Sequence, residues 1–357
     1  MNIVRLKGKK RELNVGENYP IIVNCNIGVN DMHNISYEKE KIDILFSSND
    51  TSPDTMMDLS IFDAKGQLVH YIIQNYGVPV GVVPIYAFKK FELNKINLLE
   101  QIEKYAEMGV AFMTMHFTAD KDIYEIAVKE RKIPTTSRGG AITLKDAYNR
   151  NKQNIFRECL GEIVYLAKKY NFTINLGTTF RPAGIVDACD KSHTLETIRQ
   201  IELSNYLQDQ GVSILVENVG HISLDKIEKH SSLLLQCNAP IMPLGPSVID
   251  SAIGYDHIVA SIGASFMAYN NVAHILNAIS PVEHKTSFFS IEDARNAMIS
   301  AKIAARAVNV AKFPQFKNEE SNIYNARAKN NSCIISNKYT CIRCDELCPL
   351  KIEIYDK

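Results

Sequence analysis

Short apolar runs recur along the chain as PIIVNCNIG, TMMDLS, VGVVPIY, VAFMTMHF, FTINLG, VSILVENVG, APIMPLGP and ASFMAYN. Each is too short for a typical helix and too uniformly apolar for a strand with one wet face. Each therefore predicts a strand buried on both sides. Between many of them lie amphipathic stretches, clearest in LNKINLLEQIEKYAEMG, IFRECLGEIVYLAKKY and HTLETIRQIELSNYLQDQG. These place apolar residues at three and four spacing, and the first and third end in glycine, a helix stop. Eight buried strands alternating with helices predict a (β/α)8 barrel of the TIM type, with a doubly wound open sheet as the competing arrangement.

The boundaries follow from composition. Residues 1–14 read as an N-terminal extension whose basic run RLKGKKR is a solvated terminus, and residues 15–312 as the barrel. Residues 313–357 read as a polar linker, KFPQFKNEESNIYNARAKNNS, leading to a cysteine tail. Lysine plus arginine and aspartate plus glutamate each number 40. That balance, with no long basic block, argues against a nucleic-acid partner. No apolar stretch approaches the roughly 20 residues that span a bilayer, and the N-terminus lacks a signal peptide's apolar middle. A cytoplasmic protein is expected, in which disulfides are disfavoured.

That setting shapes the reading of the eight cysteines. Cys25, Cys159, Cys189 and Cys237 are scattered singly among apolar residues and read as core thiols. Cys341, Cys344 and Cys348 crowd together in TCIRCDELCPL and read as a metal site. Three thiolates can hold an iron-sulfur cluster with one iron open, or a zinc with Cys333 as fourth ligand.

Polar residues at the strand ends carry the candidate chemistry. Asn24, Asn26, Met57, Asp58, Tyr86, His116, Glu217 and His221 all fall late in an expected strand or just beyond it, which is the catalytic rim of a barrel. Singly, each is explained by ordinary hydrogen bonding; their recurrence favours a site. The loop TTSRGGAIT could bring backbone N–H groups to a phosphate through Ser137, Arg138 and Gly139, and Arg181 in LGTTFRPAG could clamp an anion.

The motifs VNCNIG, MDLS, GVVPIY, TMHF, SRGG, LGTTFRP, VENVGH, LGP, GYDHI and VEHK, followed by the cysteine tail, resemble in sequence and order the phosphomethylpyrimidine synthase (ThiC) family. The resemblance runs from about Val15 to about Phe313 and resumes at the cysteines. It implies a noncanonical radical S-adenosylmethionine enzyme that converts 5-aminoimidazole ribotide to 4-amino-5-hydroxymethyl-2-methylpyrimidine phosphate for thiamine. Relatives turn the same substrate into 5-hydroxybenzimidazole. The implied cofactors are a 4Fe-4S cluster on Cys341, Cys344 and Cys348, S-adenosylmethionine, and one mononuclear zinc or iron on His221 and His284, with His257 not a ligand. Asn26, Met57, Tyr86, His116, Ser137, Arg138, Gly139, Arg181, Glu202 and Glu217 become the implied substrate residues. An electron donor such as flavodoxin or ferredoxin, and a homodimer across which the tail reaches, are the implied partners.

The chain departs from the family at several points. Thr178 and Thr179 stand where the family has aspartate and glycine, and Met242 where it has tyrosine. Asn218, Val219 and Gly220 replace a glycine-proline-glycine, and the cysteine spacing is CxxCxxxC, one residue short. These differences keep open a barrel that binds a ligand without catalysis and holds zinc in its tail.

Overall fold

The structure, a computed structural model, describes residues 3–89, 92–335 and 341–352. The far ends of the N-terminal extension and of the cysteine tail lie outside these residues. The chain divides into two compact units, Met1–Ala305 and Arg306–Lys357.

The first unit opens with an antiparallel hairpin, β1 (Val4–Lys7) and β2 (Glu12–Val15). The basic run expected to be a solvated terminus thus forms part of a sheet. Alternation explains it: Val4, Leu6 and Val15 are buried while Arg5 and Lys7 point outward.

The barrel strands follow as β3 (Ile22–Ile27), β4 (Thr55–Asp58), β5 (Val80–Val82), β6 (Phe112–Met115), β7 (Thr173–Leu176) and β8 (Ile214–Val216). After these come β9 (Val219–His221), β10 (Leu244–Ser247) and β11 (Ile275–Ala278). Seven strands form one parallel sheet in the order β11-β3-β4-β5-β6-β7-β8. Helices flank it, and most of its strand residues are buried, as a parallel sheet covered on both faces requires. The segment from Ile241 through β10 occupies the gap between β8 and β11. Its Met242 N–H donates to Val216 O and it pairs with β9, while His274 N–H donates to Ile241 O from the other side. The architecture is the expected TIM type.

One strand was misplaced by the apolar pattern. ASFMAYN is the end of a helix, Asp256–Tyr269, whose buried residues Val259, Ala260, Gly263, Ala264, Met267 and Ala268 repeat at helical spacing. The final strand is instead β11, whose run is broken by His274 and Asn277 and so looks less apolar. Inside the sheet, Gly81 of β5 leaves the space filled by the fully buried ring of Phe112 on β6.

The second unit also differs from expectation. The stretch expected to be a linker is a helix, Pro314–Lys329, begun by proline at its first turn. None of its residues is buried. Arg306 holds it through Glu319 at 2.5 Å and Glu320 at 2.9 Å. Polar residues read as linker here because the helix has no apolar stripe.

Candidate active site at the barrel mouth

The ends of β3 to β8 converge on a small cavity of about 60 Å³ lined by Asn26, Met57, Tyr86, His116, Ser137, Arg181 and Glu217, with Met242 and Asn277 beside them. A wider cavity of about 470 Å³ shares Asn26, Leu59 and Leu244 with it and is lined by Arg138. Of the strand-end residues singled out from sequence, Asn26, Met57, Tyr86, His116 and Glu217 are therefore brought together, whereas Asp58 is turned aside to accept from Ser60 N–H.

Its floor is a chain of amides. Asn24 Nδ2 donates to Asn26 Oδ1 at 2.9 Å and to Asn277 Oδ1 at 2.8 Å; Thr55 Oγ1 donates to Asn24 Oδ1, and Asn277 Nδ2 to Pro243 O. Strand register sets this up, since Asn24 lies opposite Asn277 on one side and Thr55 on the other.

One wall is His116. Burial, aided by the nearby Arg181 charge, lowers its pKa to about 3, so the ring is neutral. Ser137 Oγ lies 2.9 Å from His116 Nε2 and accepts from Gly140 N–H, capping a helix over Arg138–Asn149. The presumed phosphate loop is thus a capped helix start, the geometry in which N–H groups of a first turn face an anion. Gly139 does not line the small cavity; a Cβ there would drive into the His116 ring. Arg138 lies over the Tyr86 ring, 5.2 Å from its centroid.

The opposite wall is Arg181, whose Nη1 donates to Glu217 Oε1 at 2.9 Å and to Thr178 O at 3.2 Å. Burial pushes the Glu217 carboxyl up while Arg181 opposes it. The loop carrying Arg181 is held from behind. Glu196 accepts from Thr179 N–H and Phe180 N–H, both at 2.6 Å, and from Thr118 Oγ1 at 2.8 Å. Arg131 donates to Phe180 O, and the Phe180 ring is fully buried among Ile123, Ala127 and Leu144. Thr178 donates its hydroxyl to Glu217 O and accepts from Gln200 Nε2 at 3.4 Å, so it is spent within the protein and does not line the cavity.

Glu202 is a correction. It is exposed on the helix Lys191–Asp209 and lines a separate cleft with Asp120, Arg157 and Arg199. The carboxylate which that helix turns inward is Glu196, six positions earlier and so about 120° away around the helix.

His221 on β9 and His284 face each other edge to face, ring centroids 5.0 Å apart. The Nδ1 of His221 lies 2.7 Å from Asp250, and that of His284 lies 2.6 Å from Asp256. Carboxylates that occupy one ring nitrogen leave Nε2 as ligand, which fits a metal site. His257 is apart from this arrangement; its Nδ1 is buried without a partner. Asp250 and Asp256 were not singled out from sequence, because one lies in a loop and the other in a helix's first turn, where acidic residues are ordinary.

In the tail, Cys341 and Cys348 are partly buried and Cys344 is exposed, all as free thiols around a short turn at Asp345–Leu347. Three free cysteines suit an iron-sulfur cluster as donors.

A parallel barrel with a polar mouth, an arginine-carboxylate pair and two carboxylate-backed imidazoles has the layout of an α/β-barrel enzyme. The pattern of the Radical SAM ThiC family matches residues 2–336, and the chain belongs to that family. The phosphomethylpyrimidine synthase of Carboxydothermus hydrogenoformans is 34% identical over 84% of this chain and 71% of its own. That of Methanococcus vannielii is 32% identical over 90% and 78%. A dihydropteroate synthase structure from Xanthomonas albilineans aligns at a TM-score of 0.49 and 12% identity over 88% of this chain and 100% of that one, too loosely to bear on function. Among the described residues no helix is long and apolar enough to cross a membrane.

Proposed function

We propose that this protein is a phosphomethylpyrimidine synthase, taking 5-aminoimidazole ribotide at the barrel mouth and releasing 4-amino-5-hydroxymethyl-2-methylpyrimidine phosphate. The observation that carries this reading is the gathering of Asn26, Tyr86, His116, Ser137, Arg181 and Glu217 around one cavity in a member of this family. In it, the capped helix start at Ser137 and Arg138 receives the phosphate. Arg181 and Glu217, locked to each other, orient the ribose and the amine, and neutral His116 donates or accepts without changing charge. Asn26 and Asn277 fix the imidazole from below. When bound, a 4Fe-4S cluster on Cys341, Cys344 and Cys348 supplies the single electron that makes S-adenosylmethionine a source of a carbon radical. His221 and His284 would hold a zinc or ferrous ion. Cytoplasmic location, a flavodoxin or ferredoxin donor, and a homodimer belong to the same proposal.

One observation favours a second product. With Thr178 turned to Glu217 O, the position supplies no acceptor to a ribose hydroxyl, so the same chemistry could end in 5-hydroxybenzimidazole. The test is anaerobic turnover of the reconstituted protein with the ribotide, S-adenosylmethionine and a reductant. 5′-Deoxyadenosine with the pyrimidine phosphate is the expected result; the benzimidazole in its place selects the second product. Fully loaded protein that yields no 5′-deoxyadenosine and consumes no ribotide refutes both.

A further inference from the structure

Behind the mouth lies a cluster that this function does not use. Cys189, His193 and His230 each place a ligand-type atom within 4.8 Å of the others, the only such group of three among the described residues. Cys189 ends the loop after Arg181, His193 is in the first turn of the helix Lys191–Asp209, and His230 is on the helix Leu224–Leu234. Three separate pieces of backbone thus converge there.

The two imidazoles are placed as ligands of a metal are, and the Cys189 thiol would release its proton on binding. His193 is fully buried and its Nε2 has no hydrogen-bond partner, a costly situation for a polar atom. Its ring centroid is 4.4 Å from that of His230. His230 Nε2 lies 2.6 Å from Asn218 Oδ1, which fixes that ring and leaves Nδ1 as its free donor. Asn218 is itself held by Gln200 Oε1 at 2.8 Å. Such outer contacts are the support that ligating imidazoles receive in metal sites. Cys189 was expected to be a core thiol, yet it is only partly buried and its φ of +62° is a left-handed conformation unfavourable for a non-glycine residue. Both features suit a thiol kept at the surface end of a site.

We infer that Cys189, His193 and His230 form a further metal site, separate from His221 and His284 and from the tail cysteines, selective for a tetrahedral, sulfur- and nitrogen-preferring ion of the zinc class, with a fourth position open to water. One thiolate and two imidazoles in a partly closed setting match zinc and do not match calcium or magnesium. Binding costs two contacts, the first being the one from the Cys189 thiol to Lys226 O, 4.0 Å away, which ends when the sulfur gives up its proton. In the second, Cys189 N–H donates to His193 Nδ1 at 3.2 Å, and that bond yields whether the ion takes Nδ1 or draws the proton there by taking Nε2. In return, the ion fastens the end of the Arg181 loop to two helices and, through His230 and Asn218, to the strand end bearing Glu217. The inference is independent of the proposed reaction.

Cobalt(II) tests it, because a thiolate ligand gives a charge-transfer absorption and tetrahedral coordination intensifies the visible bands. The full chain carrying Cys341→Ser, Cys344→Ser and Cys348→Ser removes the tail thiols, leaving the paired imidazoles of His221 and His284 unable to produce a thiolate band. Under reducing, anaerobic conditions one equivalent of cobalt should produce that band, and zinc should displace it. Adding Cys189→Ser should abolish the band and the rise in melting temperature given by zinc at this site, with circular dichroism unchanged. His193→Gln should weaken cobalt binding at least tenfold; should it fail to fold, Cys189→Ser decides alone. Absence of the band in folded protein, or its survival in Cys189→Ser, overturns the proposal.

Discussion

The rings of His221 and His284 stand 5.0 Å apart, brought together from β9 and from the turn after β11, and each has one nitrogen committed to its own aspartate. Replacing either histidine by alanine should remove a mononuclear metal from the purified protein and leave the tail cluster in place. Asp250→Asn and Asp256→Asn should retain the metal with about 10- to 100-fold weaker affinity. His257→Ala should leave metal content unchanged. Elemental analysis after dialysis against a graded chelator checks all five variants.

Arg181 and Glu217 form a pair with only 14% and 12% of their side chains exposed. Removing one partner strands the other, so Glu217→Ala should cost about 3 kcal/mol of stability. Arg181→Lys keeps a charge but loses the planar guanidinium, whose Nη1 reaches both Glu217 and Thr178 O and whose other N–H groups are left for an anion, and should raise KM for the ribotide more than it lowers kcat. Urea unfolding and steady-state kinetics separate the two effects. An Arg181→Lys variant with unchanged KM would remove the arginine from substrate binding.

Gly139 sits in a helix, where alanine normally stabilises by up to about 1 kcal/mol. Here its Cβ would enter the His116 ring, so Gly139→Ala should destabilise by about 1–3 kcal/mol and disturb the Ser137–His116 bond. Gly161, in the helix Leu160–Tyr170, has open space at the same atom, and Gly161→Ala should be neutral or slightly stabilising. Chemical denaturation of both compares a clash with its absence.

Two buried groups bend the pH dependence of stability in opposite senses. Burial raises Glu196 from an ordinary 4.5 to about 7, against the pull of its three donors. The folded chain then keeps a proton that the unfolded chain releases, so this contribution is full below pH 4.5 and fades as pH rises to about 7. His116, lowered from 6.5 to about 3, contributes fully above pH 6.5 and fades as pH falls toward 3. Glu196→Gln should flatten only the first slope in a melting-temperature profile. An unaltered slope between pH 4.5 and 7 would mean that the three donors keep Glu196 ionised.

In the tail, Cys344→Ala should abolish the brown colour and the roughly four irons per chain expected after anaerobic reconstitution. Cys333→Ala should change neither. Cys333 is exposed, and Arg327 Nη2 is 3.8 Å from its sulfur. A colourless protein holding one zinc per chain would point to the non-catalytic alternative.

Most of the barrel was legible because strands such as β5 and β8 are buried on both faces and therefore read as unbroken apolar runs. Where burial involves polar residues the signal fails. The helix Lys191–Asp209 turns Ser192, His193, Glu196, Thr197 and Gln200 inward, so its core face looks like a solvent face and Glu196 went unnoticed, while Glu202 was named only through the family resemblance. β11 was passed over for a similar reason, since its Asn277 serves the site rather than the core. The strand-end residues could be read from position alone. His221 and His284 could be preferred over His257 only through the family resemblance, because the aspartates that distinguish them, one in a loop and one at a helix start, meet them through tertiary contacts that no local pattern encodes.

The amide floor formed by Asn24, Asn26 and Asn277 has a consequence for anything reactive held above it. None of these groups gains or loses a proton in water's working range, and each dipole is already committed to a neighbour. A short-lived species resting there meets a fixed pattern of partial charges and no acid to quench it. The mouth is therefore asymmetric: ionisable groups at its sides, Arg181, Glu217 and Tyr86, and a chemically inert base whose only contribution is direction.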